Sequence, residues 1–246
     1  MKLKLGLLLI ISCLPFNALR LLLYRCLFKY EIGGSSKIGM FNILICDKCR
    51  IENASIGNFN FIKVASLNMR DNAVVNKLNK FSNINELVLC QNSVIVKNNS
   101  FVGTRDGVSP YKERECLFLG RDSLIVSDAH FDLSDTIKIG NNVVFGGTEH
   151  QVWTHGFNSN RVKIQAPITI ENNVYFGSRC TILPGVTICS DVELGASTTV
   201  SKNINESGFY VSSQLLQKKR ETQLDLSNAV IHNNSTFLIK DNTIKS

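Results

Sequence analysis

The stretch IQAPITIENNVYFGSRCTILPGVTICSDVELGASTTVSKNI, residues 164–204, carries an aliphatic or aromatic side chain at every sixth position. The series is Ile164, Ile170, Phe176, Ile182, Ile188, Leu194, Val200. A second series, offset by four, runs Ile168, Val174, Cys180, Val186, Val192, Thr198, Ile204. Helices repeat at about 3.6 residues and strands at about 2, so a strict period of six marks a repeat architecture. Each phrase makes a short strand and a corner, and three phrases make one coil of a triangular prism. Stacked coils then fill a continuous core with equivalent side chains.

Working outward, a cleaner run reappears upstream at Leu119, Ile125, Phe131 and Ile137, with Ser123 and Ala129 as small partners. A shift of two residues follows, to Ile139-Gly140-Asn141-Asn142-Val143 and Phe145-Gly146. Imperfect phrases begin near residue 37, with Ile38-Gly39, Ile56-Gly57 and Ile62. A residue without Cβ suits a tight corner just after the aliphatic position. Residues 64–100 alternate apolar side chains but lose the strict period, and the charged segment Thr104 to Glu115 reads as a loop leaving a corner. Past Val211 the period ends, and Val230-Ile231 and Phe237-Leu238-Ile239 read either as short docked strands or as parts of a disordered tail. The expected organisation is an N-terminal membrane-associated segment over 1–30, the prism over 31–212 and a polar tail over 213–246.

The chain has 246 residues, 44% of them hydrophobic, enough for one sizeable core. Its formal charge of +7 and pI near 9.0 suggest an anionic partner such as cofactor phosphates, a phosphorylated substrate or an acidic membrane. No basic helix, RNA-binding aromatic pattern or zinc-finger spacing accompanies that charge, which argues against nucleic acid. The eight cysteines are scattered, and Cys46-Asp-Lys-Cys49 lacks a second pair or nearby histidines, so the set reads as reduced thiols of a cytosol-facing protein. Lys2 and Lys4 precede the apolar run Leu5 to Leu14, which is too short to span a bilayer. Apolar character resumes beyond Pro15-Phe16-Asn17, interleaved with Arg20, Arg25 and Lys29. A bent helix or helical hairpin lying in the interface fits this pattern best. One helix over residues 5–28 would instead be long enough to span.

Ile170-Glu-Asn-Asn-Val-Tyr-Phe-Gly followed by Leu183-Pro-Gly-Val-Thr-Ile188 resembles the signature of the hexapeptide-repeat acyltransferases, and Leu194 to Lys202 resembles their closing phrase. Ser123 to Asp132, Val152-Trp-Thr-His-Gly-Phe157 and the leucine- and arginine-rich head resemble the subgroup that O-acetylates bacterial capsule, O-antigen or exopolysaccharide. The resemblance implies an all-β, left-handed parallel β-helix with an N-terminal apolar helical segment. It also implies a homotrimer, acetyl-CoA in a groove between neighbouring prisms, and a saccharide or lipid-linked saccharide acceptor. Two departures stand out: Cys189 and Glu171 occupy places where the family often has glycine.

Phe145 and Ile164, both expected to face inward, are nineteen positions apart where eighteen would keep the period. The break, Gly146 to Lys163, holds His150, Trp153 and His155. Acyl transfer to a hydroxyl needs a base of near-neutral pKa, and a histidine meets that need. It also needs backbone donors for the developing oxyanion. His155 matches the family's Thr-His phrase and is the expected general base, with Asp128, Asp132 or Glu149 as its orienting partner. His130 and His150 are further catalytic candidates. Gly177, Ser178, Gly195 and Ala196 match small family positions along the pantetheine arm. Lys202, with Arg179, would meet a CoA phosphate. No metal is expected. Two rival readings carry tests of their own. One is a zinc enzyme of the carbonic-anhydrase type, using His150, His155 and His130. The other is a non-catalytic scaffold at the membrane.

Overall fold

A computed structural model describes residues 2–212, 230–232 and 235–239. The chain forms a parallel β-helix of about nine coils, with two helices ahead of it, consistent with the left-handed prism expected. Three faces run its length. The first begins with Glu31–Ile32 and continues through Cys116–Leu119, Ile137–Ile139, Ile168–Ile170 and Thr187–Ile188. The second stacks nine strands from Lys37–Ile38 to Gly208–Tyr210. The third holds Ser100–Val102, His130–Asp132, Gln151–Trp153, Thr181–Ile182 and Thr199–Val200.

The fading of the period in residues 64–100 has a simple cause. In the early coils the third and first faces are one bent strand: Ile43–Ile51, Phe61–Met69 and Lys80–Leu89. The bend absorbs an extra residue or two, so inward positions such as Ile62, Val64, Leu67 and Met69 stay buried while the count drifts. Downstream the strict spacing holds, and Leu119, Ile125, Phe131, Ile137, Phe176, Ile182, Ile188 and Leu194 are all core residues. Phe81, Phe101 and Phe131 stack in a column, Phe131 meets Phe145 edge-on, and Phe145 stacks on Phe176.

One expectation at the start of the period is corrected. Ile164 is half-buried and stands on an antiparallel hairpin outside the prism, so the inward series begins at Ile168 and Ile170. The excursion therefore starts later than the sequence suggested. Gly146 to Trp153 stay on the coil, and the chain leaves it at Thr154 to form the hairpin of His155–Phe157 and Lys163–Gln165. The strand Ser235–Ile239 of the tail pairs in parallel with Lys163–Gln165, and Val230–His232 pairs with it in turn. Tail residues 213–229, 233–234 and 240–246 lie outside the described residues.

Helices α1 (Lys2–Ser12) and α2 (Asn17–Phe28) fold back on each other at the break around Pro15 and close the first coil. Leu8, Ile11, Leu21 and Tyr24 are buried against the core. Buried Arg20 donates to the carbonyls of Ile38 and Leu14. Asn17 bridges Ser36 O and Ile38 N. Among the described residues no helix is long and apolar enough to cross a membrane, so the single spanning helix is not formed.

Candidate active site

The segment Thr104 to Glu115 and the hairpin leave the same edge of the prism, between the third and first faces. Residues 133–136 of the intervening coil turn that edge between them. Ser134 and Asp135 of this turn are both buried. Beside them ends the strand His130–Asp132, whose alternation sends Phe131 inward and His130 and Asp132 outward. The hairpin covers Asp132, so a carboxylate on the outer wall becomes buried.

Asp132 Oδ2 lies 2.7 Å from His155 Nδ1. The same oxygen accepts from Thr154 N at 3.1 Å and Thr154 Oγ1 at 2.9 Å, while Oδ1 accepts from Ser134 Oγ at 3.0 Å. Burial alone would raise the Asp132 pKa, but the hydrogen bonds and charge of His155, with Thr154 and Ser134, outweigh it and hold the carboxyl below its ordinary range. An ionised carboxylate only accepts, so His155 Nδ1 is the atom that donates to it, and in a neutral ring Nε2 would be the nitrogen with the lone pair. Among the described residues Nε2 has no hydrogen-bond partner, and the ring is partly exposed.

A second layer fixes these groups. Buried Lys163 Nζ donates to Ser134 Oγ at 3.1 Å, and Gln165 Nε2 to Ser134 O at 2.9 Å. Desolvation lowers the Lys163 pKa, opposed by the charges of Asp132 and Glu115. Asp135 receives both nitrogens of the Arg114 fork at 3.1 and 3.2 Å, and its backbone N–H donates to Thr154 Oγ1. Thr104 to Glu115 is thus more than a solvated loop. Its closing residue Glu115 is fully buried and accepts from Thr104 and from Lys112 Nζ. Burial raises the Glu115 pKa against those hydrogen bonds. Sequence reasoning missed Arg114, Ser134, Asp135, Lys163 and Gln165, because their meeting depends on two excursions from one edge.

Along the outer wall of the third face His130, Trp153, His155 and Phe157 form a row, with ring centroids 5.0, 6.3 and 5.6 Å apart. His130 borders a shallow depression with Asp128, Glu149, His150, Gln151, Arg179 and Thr181. Its pKa is lowered by burial, opposed by Asp132. His150 has a different place. It is buried at the corner between the second and third faces, edge-on to Phe145 and Phe176, with Nε2 at 2.6 Å from Gly146 O. His150 is thus buried behind the depression that His130 borders, while His155 stands on the hairpin.

Among the described residues no three His, Cys, Asp or Glu side chains are grouped as a metal site. Of the proposed orienting partners, Asp128 is exposed and bound by Asn98, and Glu149 pairs with Arg179 at 2.7 Å; both sit on the far corner of the face.

The expected acetyl-CoA positions all border the third face in the last coils. Gly177 and Gly195 stand at its corner with the second face, next to Ser178 and exposed Ala196. A Cβ on Gly177 would lie 2.7 Å from Ala196 N, so close stacking of coils explains that glycine. Exposed Lys202 lies beyond Thr199–Val200, on the edge from which the hairpin also departs. Cys189 is half-buried against the core, and Glu171 accepts from Ser190, so both departures are accommodated.

Residues 167–202 match the bacterial transferase hexapeptide family (six repeats). Over 80 residues the chain is 40% identical to the galactoside O-acetyltransferase of Escherichia coli strain K12. That similarity spans 32% of this chain and 39% of the relative's length. Among solved structures, the polySia-specific acetyltransferase NeuO is 15% identical with a TM-score of 0.44, covering 80% of this chain and 85% of its own. A maltose O-acetyltransferase from Clostridium difficile 630 is 23% identical with a TM-score of 0.35, covering 52% and 70%. The chain carries the hexapeptide repeats of the bacterial transferases at residues 167–202, stacked on the earlier coils of the same prism.

Proposed function

We propose that the protein transfers an acetyl group from acetyl-CoA to a sugar hydroxyl of a bacterial surface polysaccharide or its lipid-linked precursor. The His155–Asp132 pair is the observation that carries this reading. Asp132 fixes the tautomer, and Nε2 takes the proton of the acceptor hydroxyl as its oxygen attacks the thioester carbonyl. The tetrahedral intermediate collapses by breaking the C–S bond. The departing thiolate recovers the proton from the imidazolium, leaving free CoA and an ester. The resemblance to O-acetyltransferases supports the donor and the sugar acceptor.

In this reading His130 and Trp153 form the acceptor wall beside the base, with an aromatic face suited to a sugar ring. Gly177, Ser178, Gly195, Ala196 and Lys202 line the donor groove, which a homotrimer would complete. The outer faces of α1 and α2 make a peripheral contact with the inner face of the cell membrane. The test is CoA-thiol release with acetyl-CoA and a panel of glycosides and oligosaccharides. The His155→Ala variant should lose about 10²- to 10⁴-fold in kcat/KM while keeping its unfolding temperature. A folded variant with wild-type turnover would exclude His155 as the base.

A further inference from the structure

The corner between the second and third faces places one residue per coil in the left-handed region: Phe41, Phe59, Leu78, Asn98, Asp128, Glu149, Arg179 and Ser197. Asparagine and aspartate tolerate that conformation, whereas bulky apolar residues seldom adopt it. The first three coils nevertheless use Phe41 (φ 59°), Phe59 (φ 61°) and Leu78 (φ 60°). None of the three serves the core: they are 44%, 55% and 52% exposed. Phe41 and Phe59 stack with centroids 4.9 Å apart, and Leu78 N–H donates to Asn58 O on the next rung. An apolar ridge held in unfavourable backbone geometry, with its side chains in water, calls for something to cover it.

The ridge continues onto the end cap. Phe41 N–H donates to Ser12 O at the end of α1, and Ile10 and Phe16 flank that turn with 65% and 70% of their surface exposed. Leu19, Leu22 and Leu27 extend the apolar surface along α2. Exposed Lys37, Lys77, Lys80 and Lys97 border the ridge, and the first carboxylate in this corner series is Asp128, two coils beyond Leu78. Apolar side chains edged by ammonium groups match the layering of acyl chains beneath anionic headgroups.

We infer that the Phe41–Phe59–Leu78 ridge is a lipid-binding surface which, with the outer face of the helical cap, docks the prism on an anionic phospholipid bilayer. The inference deepens the membrane contact proposed above for the helices and does not depend on the acyl-transfer reading. The test is co-sedimentation of the full chain with vesicles of phosphatidylcholine, with or without phosphatidylglycerol. Wild type should sediment with the anionic vesicles and stay in solution with the neutral ones. Phe41→Asn/Phe59→Asn/Leu78→Asn adopts the residue the same corner uses at Asn98, so it should fold with equal or higher thermal stability. Its partition onto anionic vesicles should fall about tenfold or more. Lys77→Gln/Lys80→Gln/Lys97→Gln should lose the preference for phosphatidylglycerol.

Unchanged partition of the ridge variant would overturn the ridge while leaving the helical contact standing. Failure of wild type to bind either vesicle would overturn both. A change in oligomeric mass on ridge substitution, read by light scattering, would show a contact between copies and also overturn the inference. Acetylation of a soluble sugar should be the same in ridge variant and wild type. Its absence in wild type would sink the enzymatic reading without touching the vesicle result.

Discussion

Asp132 shows where sequence reasoning stops at the residue scale. Asp128, Asp132 and Glu149 were equivalent partners for His155 on paper, and only the position of each around the coil separates them. Asp128 and Glu149 occupy left-handed corner positions, while Asp132 ends a strand directly under the hairpin. His155 itself was legible because its Thr-His-Gly setting is local. Replacing Asp132 by Asn keeps the shape but offers an amide that no longer selects the Nδ1–H tautomer. The variant should lose roughly two orders of magnitude in kcat with little change in KM, read by the CoA-release assay. Its stability should also depend on pH in a defined direction. A carboxyl with a lowered folded pKa stabilises the fold above its ordinary value of 3.8, and that contribution disappears as pH falls through the folded value. Chemical denaturation should therefore show an Asp132→Asn deficit at pH 7 that narrows below about pH 3.8.

At the scale of the element, the corner bearing the apolar ridge also has an inner lining. Asn42, Asn60, Asn79 and Asn99 are buried there in succession, each accepting from the backbone and side-chain N–H groups of the next, and Asn99 ends on Ala129 N–H. His150, Cys180 and Thr198 follow at the same inner position of later coils, each just after a left-handed residue. The sequence made His150 a catalytic candidate because it shares the break in the period with Trp153 and His155. Its equivalence to Cys180 was hidden by the thirteen-residue excursion between them, Thr154 to Ala166. The asparagine ladder was equally hidden, since Asn is common in these coils on both sides of the wall. Asn79→Ala should cost about 1–3 kcal/mol in urea unfolding, because it leaves the buried N–H groups of Asn99 unpaired.

For the whole molecule, the period of six made the prism readable and left its ends obscure. A stack of coils must close its exposed core, and here two helices close the first coil. Composition marked those helices as apolar but could not say that Leu8, Ile11, Leu21 and Tyr24 turn inward while Ile10, Phe16 and Leu22 turn out. Arg20, one of the cations interleaved with that apolar run, is a buried clamp on Ile38 O and Leu14 O. Arg20→Met should destabilise the cap by about 1–3 kcal/mol in denaturant titration and expose the first coil to limited proteolysis. The regular spacing of coils has a further consequence. Strands in a sheet lie about 4.8 Å apart, so the coil holding Gln151–Trp153, five rungs from Lys37–Ile38, stands about 24 Å along the axis. A prism seated on its cap and first coils would hold this coil no further than that distance from the bilayer. It would meet a lipid-tethered glycan some way out along the chain, with the number of coils setting which sugar it reaches.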